Sequence, residues 1–372
     1  SFTIVSPDLF TFVYMFALTS KNRYLPPKTV NTLLKGFVNF QPIQTIGKSV
    51  NFLPIYGLRV GNGPIKVLMW SQMHGNESTA TRAILDILDG FNSSKETEIL
   101  KKLSLFIIPQ LNPDGSKAYT RHNANDVDLN RDAVNLTQPE SKALRTVFDE
   151  FQPHFCFNLH GQRTIYAAGK KGKSATLSFL SPAAESERLL SPARLKAMQI
   201  ILSINSSLAN KLPNQMGRYD DSFNINCFGD LFTSLGTPTL LLEAGHYPDD
   251  YNRDTTVKFI REAIMIALMS ILNEDYLQFT ADQYELIPEN SKDYVDIIIQ
   301  GVTIKDKGQT IENQLLAIQY DEVLEGNKIS FKPKCAAYGD YLNIIGHKTI
   351  SAFDLKINEP IHFKIDEIIN IL

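Results

Sequence analysis

Cysteine is scarce in this 372-residue chain: Cys156, Cys227 and Cys335 are far apart and odd in number. They make neither a disulfide framework nor a Cys-x-x-Cys zinc site. Cys156, inside the apolar run FCFNL, reads as a small buried hydrophobe. An excess of charge is lacking too. The formal net charge is −3 with 21% charged residues, and no Lys/Arg cluster alternates with aromatics, which argues against nucleic-acid binding. No apolar run is long enough to span a bilayer, so no membrane partner is expected. LFTFVYMFAL, Leu9–Leu18, has the length of a signal-peptide core but no basic start and no small-residue cleavage site. It is expected to be a packed first element, and the protein to be cytoplasmic, with an exported or periplasmic protein as the alternative. Internal repeats and low-complexity tracts are also absent.

What is there suits a globular protein: 43% apolar residues over a length that can bury a large core, in two domains. From about 60 to 275, strand-like and helix-like patterns alternate. IKVLMWSQ, LSLFIIPQ, PHFCFNLHG and TPTLLLEAG are near-continuous apolar runs, as expected of strands covered on both faces. Between and after them, ESTATRAILDILDGF, QPESKALRTVFDEF, SPARLKAMQIILSINSSLANKL and TTVKFIREAIMIALMSIL carry helical spacing. NPDG, after the second strand, reads as a turn. The alternation predicts an α/β fold, a mixed sheet with helices on both faces. After about Asp275 the chain becomes a series of β-prone runs separated by Gly-, Asn- and Lys-rich turns. The expected division is therefore 1–275, with a lead-in over about 1–40, followed by a small β-rich domain over 276–372. That second part carries no cluster of His, Cys and acids with ligand spacing.

The polar residues of interest fall at the C-terminal ends of the predicted strands, the edge where open α/β sheets bind ligands. His74 and Glu77 follow the first core strand, His160 ends FCFNLH, and Glu243 ends TLLLE. Each strand breaks there into a glycine-containing turn. Taken singly, each of these residues is as readily a solvated turn residue or a paired strand-end side chain. Together, two imidazoles and a carboxylate are the donor set of a zinc ion that keeps one position open for water. Zinc acidifies such a water, and a carboxylate outside the ligand set can pass its proton to a leaving amine. Glu243 is the candidate for that base. The loop TRHNANDVDLNRD adds Arg121 and Arg131, suited to carboxylate recognition and to a developing oxyanion. In the same loop, Asp128 is suited to orienting a ligand histidine.

These motifs, in this order, resemble the zinc carboxypeptidase family over about residues 40–275. HGNE matches the ligand pair. NPDG with RHNAN and VDLNR matches the substrate-binding loop, LHG the third-ligand strand, and EAG the strand of the catalytic glutamate. The resemblance implies one zinc ion on His74, Glu77 and His160, with Asp128 as the partner of a ligand histidine. Arg121 would polarise the scissile carbonyl, and Asn130 and Arg131 would grip the substrate's terminal carboxylate. Glu243 would act as general base and then general acid. Tyr219 is the better match for the family's mobile tyrosine, with Tyr247 as the weaker one. The residue setting side-chain preference would lie near Phe228 to Asp230.

The chain departs from the family where Asp132 and Ala133 follow the Asn-Arg pair, in place of asparagine and an aromatic. An acid beside Arg131 could weaken its hold on a carboxylate or orient it. The expected function is a metallocarboxypeptidase acting on a peptide. Asp132 leaves open a deacylase or amidase acting on an acyl-amino acid or a peptidoglycan stem, resembling the desuccinylase and aspartoacylase branch. A zinc- or peptide-binding protein without catalysis is the third reading. The oligomeric state is not legible.

Overall fold

The computed structural model describes residues 22–369 apart from 38, 41, 94–97, 307, 358–359, 362–364 and 366. The expected packed element at Leu9–Leu18 lies outside the described residues. In chain order the first part contains α1 (Pro27–Lys35), β1 (Gln44–Lys48), β2 (Pro54–Val60), β3 (Ile65–Ser71), α2 (Thr79–Ser93), α3 (Glu98–Lys102), β4 (Leu103–Ile108) and α4 (Pro113–Ala118). There follow α5 (Pro139–Phe151), β5 (Phe155–Gly161), β6 (Tyr166–Ala168), β7 (Leu177–Leu180), α6 (Pro192–Leu208), β8 (Met216–Arg218), α7 (Phe228–Ser234), β9 (Thr239–Ala244) and α8 (Asp254–Asn273). The last part holds α9 (Ala281–Glu285), β10 (Asn290–Lys292), β11 (Tyr294–Asp306), β12 (Gln309–Glu325), β13 (Lys328–Gly339) and β14 (Ile345–Ser351).

Eight strands form one mixed sheet in the order β1-β2-β4-β3-β5-β9-β7-β8. Its centre, β4-β3-β5-β9, is parallel, and antiparallel pairs flank it. Successive side chains of a strand point to opposite faces, so the apolar run of β3 feeds two cores. Val67 and Met69 pack with residues of α1, α2, α6 and α8, whereas Leu68 and Trp70 pack with α5 and α7. A strand read as covered on both faces thus has helices on both. The amphipathic spacing of α2 follows the same logic, with Ala80, Ala83, Ile84, Ile87, Leu88 and Phe91 turned inward.

The predicted turn at NPDG is instead the start of a helix. Asn112 accepts a hydrogen bond from Gly115 N and Pro113 occupies the first turn of α4. Asparagine as cap and proline just inside the helix start favour this outcome over an isolated turn.

The change of texture near Asp275 falls in a helical tail, a 3-10 turn over Asp275–Gln278 and then α9. Strand β10 pairs with β6, and a second sheet, β13-β12-β11-β14, begins at Tyr294. It has its own apolar cluster around Ile299, Leu316 and Ile318. Polar contacts fasten it to the first part. Gln319 Nε2 donates to Thr164 Oγ1 at 2.9 Å, Tyr251 Oη to Asp296 at 2.9 Å, and Arg23 pairs with Glu322 at 2.6 Å. Among the described residues, no helix is long and apolar enough to cross a membrane.

Candidate metal centre

The turn after β3 and the ends of β5 and β9 lie at one edge of the sheet. Gly75, inside HGNE, lets the turn press on α4: a Cβ there would stand 2.0 Å from the Gly115 carbonyl carbon. Gly75 N and Asn76 N donate to Arg121 O and Thr120 O, which ties the loop bearing Arg121 to the turn. The glycine of EAG has a similar reason. A Cβ on Gly245 would meet Ala175 O at 1.9 Å.

The side chains of His74, Glu77 and His160 converge, with one potential ligand atom from each lying within 4.8 Å of the others. His74 Nδ1 is 2.9 Å from Glu77 Oε1, His160 Nδ1 is 3.1 Å from Glu77 Oε2, and the two Nδ1 atoms are 3.1 Å apart. A tetrahedral zinc with arms of about 2.0–2.1 Å separates its donors by about 3.3 Å, so the set needs little adjustment. On its far side the His74 ring has Asp128 Oδ1 3.1 Å from Nε2. With the proton on Nε2, the Nδ1 lone pair faces the cluster.

The electrostatics also suit a cation. Burial lowers proton affinity at His74, yet Glu77 and Asp128 outweigh it, and the imidazole is pushed up to about 9. His160, deeper in the protein, is lowered by burial, with the Glu77 carboxylate only partly offsetting that cost. Without a metal, a proton on His74 supplies the positive charge the carboxylates demand. A divalent ion supplies it to all three donors at once.

Glu243 stands in register with His160 on the neighbouring parallel strand. Burial, and next the nearby Glu77 carboxylate, push its carboxyl up to about 8. Its Oε2 has no hydrogen-bond partner.

All of these line a cleft of about 1010 Å³ together with Arg121, Asn130, Arg131 and Tyr219. Arg121 is half exposed and held by Asp128, donating from Nε at 3.1 Å and Nη2 at 3.0 Å, while Nη1 lies 3.5 Å from Glu77. Asn130 accepts from Phe228 N at 3.1 Å, and Arg131 Nη1 donates to Asn130 O and lies 3.1 Å from Cys227 Sγ. Asp132 does not pair with Arg131. Its carboxylate accepts from Thr137 N and Oγ1 and from Gln138 N, capping the turn ahead of α5. Tyr219 donates to Gln162 Oε1 at 2.7 Å and meets Tyr166 edge-on, whereas Tyr247 packs on Phe259 in the helix core. Of the segment flagged for side-chain preference, Gly229 and Asp230 line the cleft.

Several lining residues had no sequence signal. Gln162 follows the LHG motif directly, and that adjacency alone could have drawn attention to it. Arg23, Arg253 and the β12–β13 residues Tyr320, Glu322 and Phe331 come from segments without a motif. The second sheet thus walls the same cleft.

Comparison with known proteins agrees with the geometry. Residues 30–165 match the zinc carboxypeptidase family model. Carboxypeptidase SOL1 of Arabidopsis thaliana is 30% identical over 155 residues, 36% of this chain and 32% of that protein. Carboxypeptidase D of Mus musculus is 29% identical over 148 residues, 33% of this chain and 11% of its own. The chain therefore matches about a third or less of the length of these curated relatives. Among solved structures, the metallo-carboxypeptidase of Burkholderia cenocepacia (TM-score 0.53, 18% identity, 68% of this chain, 71% of that one) shares the fold. So does carboxypeptidase A of Helicoverpa armigera (0.53, 17%, 68% and 75%). The match to the zinc carboxypeptidase model thus covers residues 30–165, and the fold shared with metallocarboxypeptidases extends over 68% of the chain.

Proposed function

We propose that this protein is a zinc-dependent metallocarboxypeptidase, with one zinc ion held by His74, Glu77 and His160 and a peptide as substrate. The observation that carries the reading is the convergence of three donor side chains beside a buried carboxylate with an unpartnered oxygen. Zinc, when bound, supplies an acidified water and Lewis-acid polarisation of the scissile carbonyl. Glu243 takes a proton from the attacking water and delivers it to the leaving amine. Asp128 keeps the His74 ring in one tautomer. Arg121 lends positive charge to the oxygen that becomes negative as the carbonyl is attacked. Asn130 and Arg131 hold the terminal carboxylate, and Arg131 is suited to a bidentate grip. Tyr219, at the cleft wall on Gln162, closes over the bound residue. Residues 1–275 form the catalytic domain and 276–372 an accessory domain.

Because Asp132 faces away from Arg131, the departure that kept an amidase reading open has a local structural reason, and the carboxypeptidase reading is preferred. The test is release of C-terminal amino acids from a peptide panel by the zinc-loaded chain, with each peptide matched to its C-terminal amide. Release that stops with a chelator, returns with zinc and spares the amides is expected. Equal cleavage of amides would overturn the reading.

A further inference from the structure

The cleft holds an arginine that the proposed chemistry does not use. Arg253, just before α8, is 1% exposed and lines the cleft. Its Nη2 donates to Gln162 O at 3.0 Å, and its Nη1 has no partner. Among the described residues it forms no ion pair. The acids whose charge reaches it are Glu322 and Asp250, and both are committed elsewhere. Glu322 pairs with Arg23 and accepts from Tyr119 Oη at 2.7 Å. Asp250 accepts the backbone N–H groups of Asp254, Thr255 and Thr256 at the start of α8. Arg23 is a second cation acting on Arg253, and it is the one that Glu322 pairs with.

A guanidinium taken out of water without a carboxylate is costly to the folded protein. In a packed core, apolar side chains of similar volume would do as well. At a cleft wall the same group has a use: an anion entering from the cleft replaces the missing partner, in surroundings where charge-assisted hydrogen bonds are strong. The site is built from separate parts of the chain. Strand β12 contributes through Glu322, which occupies Arg23 and leaves Arg253 to a ligand.

We propose that Arg253 is an anion-binding group of the substrate cleft, and that the preferred peptide carries a second carboxylate, on an acidic side chain, besides its C-terminal one. The proposal rests on the metallocarboxypeptidase reading for the identity of the ligand as a peptide.

The test measures binding, so that it does not depend on turnover. The zinc-loaded full chain carrying E243Q is titrated calorimetrically with N-acetyl tripeptides holding Glu or its neutral twin Gln at each position in turn. At one position the Glu peptide binds about tenfold or more tightly than the Gln peptide. Adding R253Q, which keeps a donor for the Gln162 carbonyl but removes the charge, abolishes that difference, whereas R253K keeps part of it. Equal binding of Glu and Gln peptides at every position overturns the proposal, whether or not the Arg253 variants fold. A preference that survives R253Q overturns the assignment to Arg253. If the chain without E243Q releases no residue from any of these peptides, the proposed activity fails, and the binding comparison still decides the subsite.

Discussion

His160 and Glu243 face each other in register on β5 and β9. Parallel neighbours lie about 4.8 Å apart, so a nitrogen donor and a carboxylate share one face of the sheet edge. The carboxyl is pushed up to about 8 by burial and by Glu77. A cation on the three donors acts in the opposite direction. With zinc on the proposed donors, the pairing would link the protonation of Glu243 to occupancy of that site.

On this arrangement E243Q preserves shape but cannot take a proton. The expected outcome is a fall in kcat of about 10²–10⁴-fold with zinc content unchanged. Turnover at the wild-type rate would remove Glu243 from the mechanism.

Replacing a donor affects the metal itself. H160A leaves two of the three side chains and should lose zinc on dialysis, read as metal per chain by elemental analysis. D128N keeps all three donors but weakens the carboxylate that partners the His74 ring and also holds Arg121, so it should lower zinc affinity by about 10–100-fold. An H160A protein that retains a full equivalent of zinc would take His160 out of the ligand set.

The sequence carried these side chains because each motif marks a backbone event. The glycines of HGNE and EAG are needed where the chain passes within van der Waals reach of α4 and of Ala175. Short apolar runs ending in His or Glu located the edge of the sheet, and the period of β3 was legible because helices cover both of its faces. Arg253 was not legible. Its position depends on contacts with residues 91 positions earlier and on a second sheet that begins at Tyr294, and no local pattern records such pairing. Asp132 stands beside Arg131 in sequence, where an acid could weaken or orient that side chain, but its carboxylate accepts from Thr137 and Gln138 instead. Adjacency in the chain says little about direction at a turn.

Arg131 and Asp132 should therefore separate in experiment. R131A is expected to lower kcat/KM for peptides with a free C-terminus by about 100-fold, through loss of a charged partner for a carboxylate. It should leave discrimination against amidated twins much reduced. D132A should keep that discrimination and cost stability instead, about 1 kcal/mol for the lost cap. Denaturant unfolding can be followed by the single tryptophan, Trp70, which is buried against Phe232. A D132A protein that no longer distinguishes free from amidated C-termini would tie the acid to substrate binding.

Away from the cleft, Asp86 on α2 gives a pH signature of stability. Its Oδ1 has no hydrogen-bond partner, and burial raises its carboxyl to about 6, with Arg261 and Arg82 offsetting only part of that cost. Between its ordinary value of 3.8 and about 6, the folded chain holds a proton that the unfolded chain has released. Stability from this group therefore falls as pH rises through that window. D86N carries no such titration. Relative to the wild type it should gain stability between pH 4 and pH 7 and then hold the gain at higher pH, measured as the difference in urea midpoint at each pH. A difference that stays constant from pH 4 to pH 7 would show that Asp86 titrates alike in the folded and unfolded chain, and one that shrinks would show that folding lowers its carboxyl.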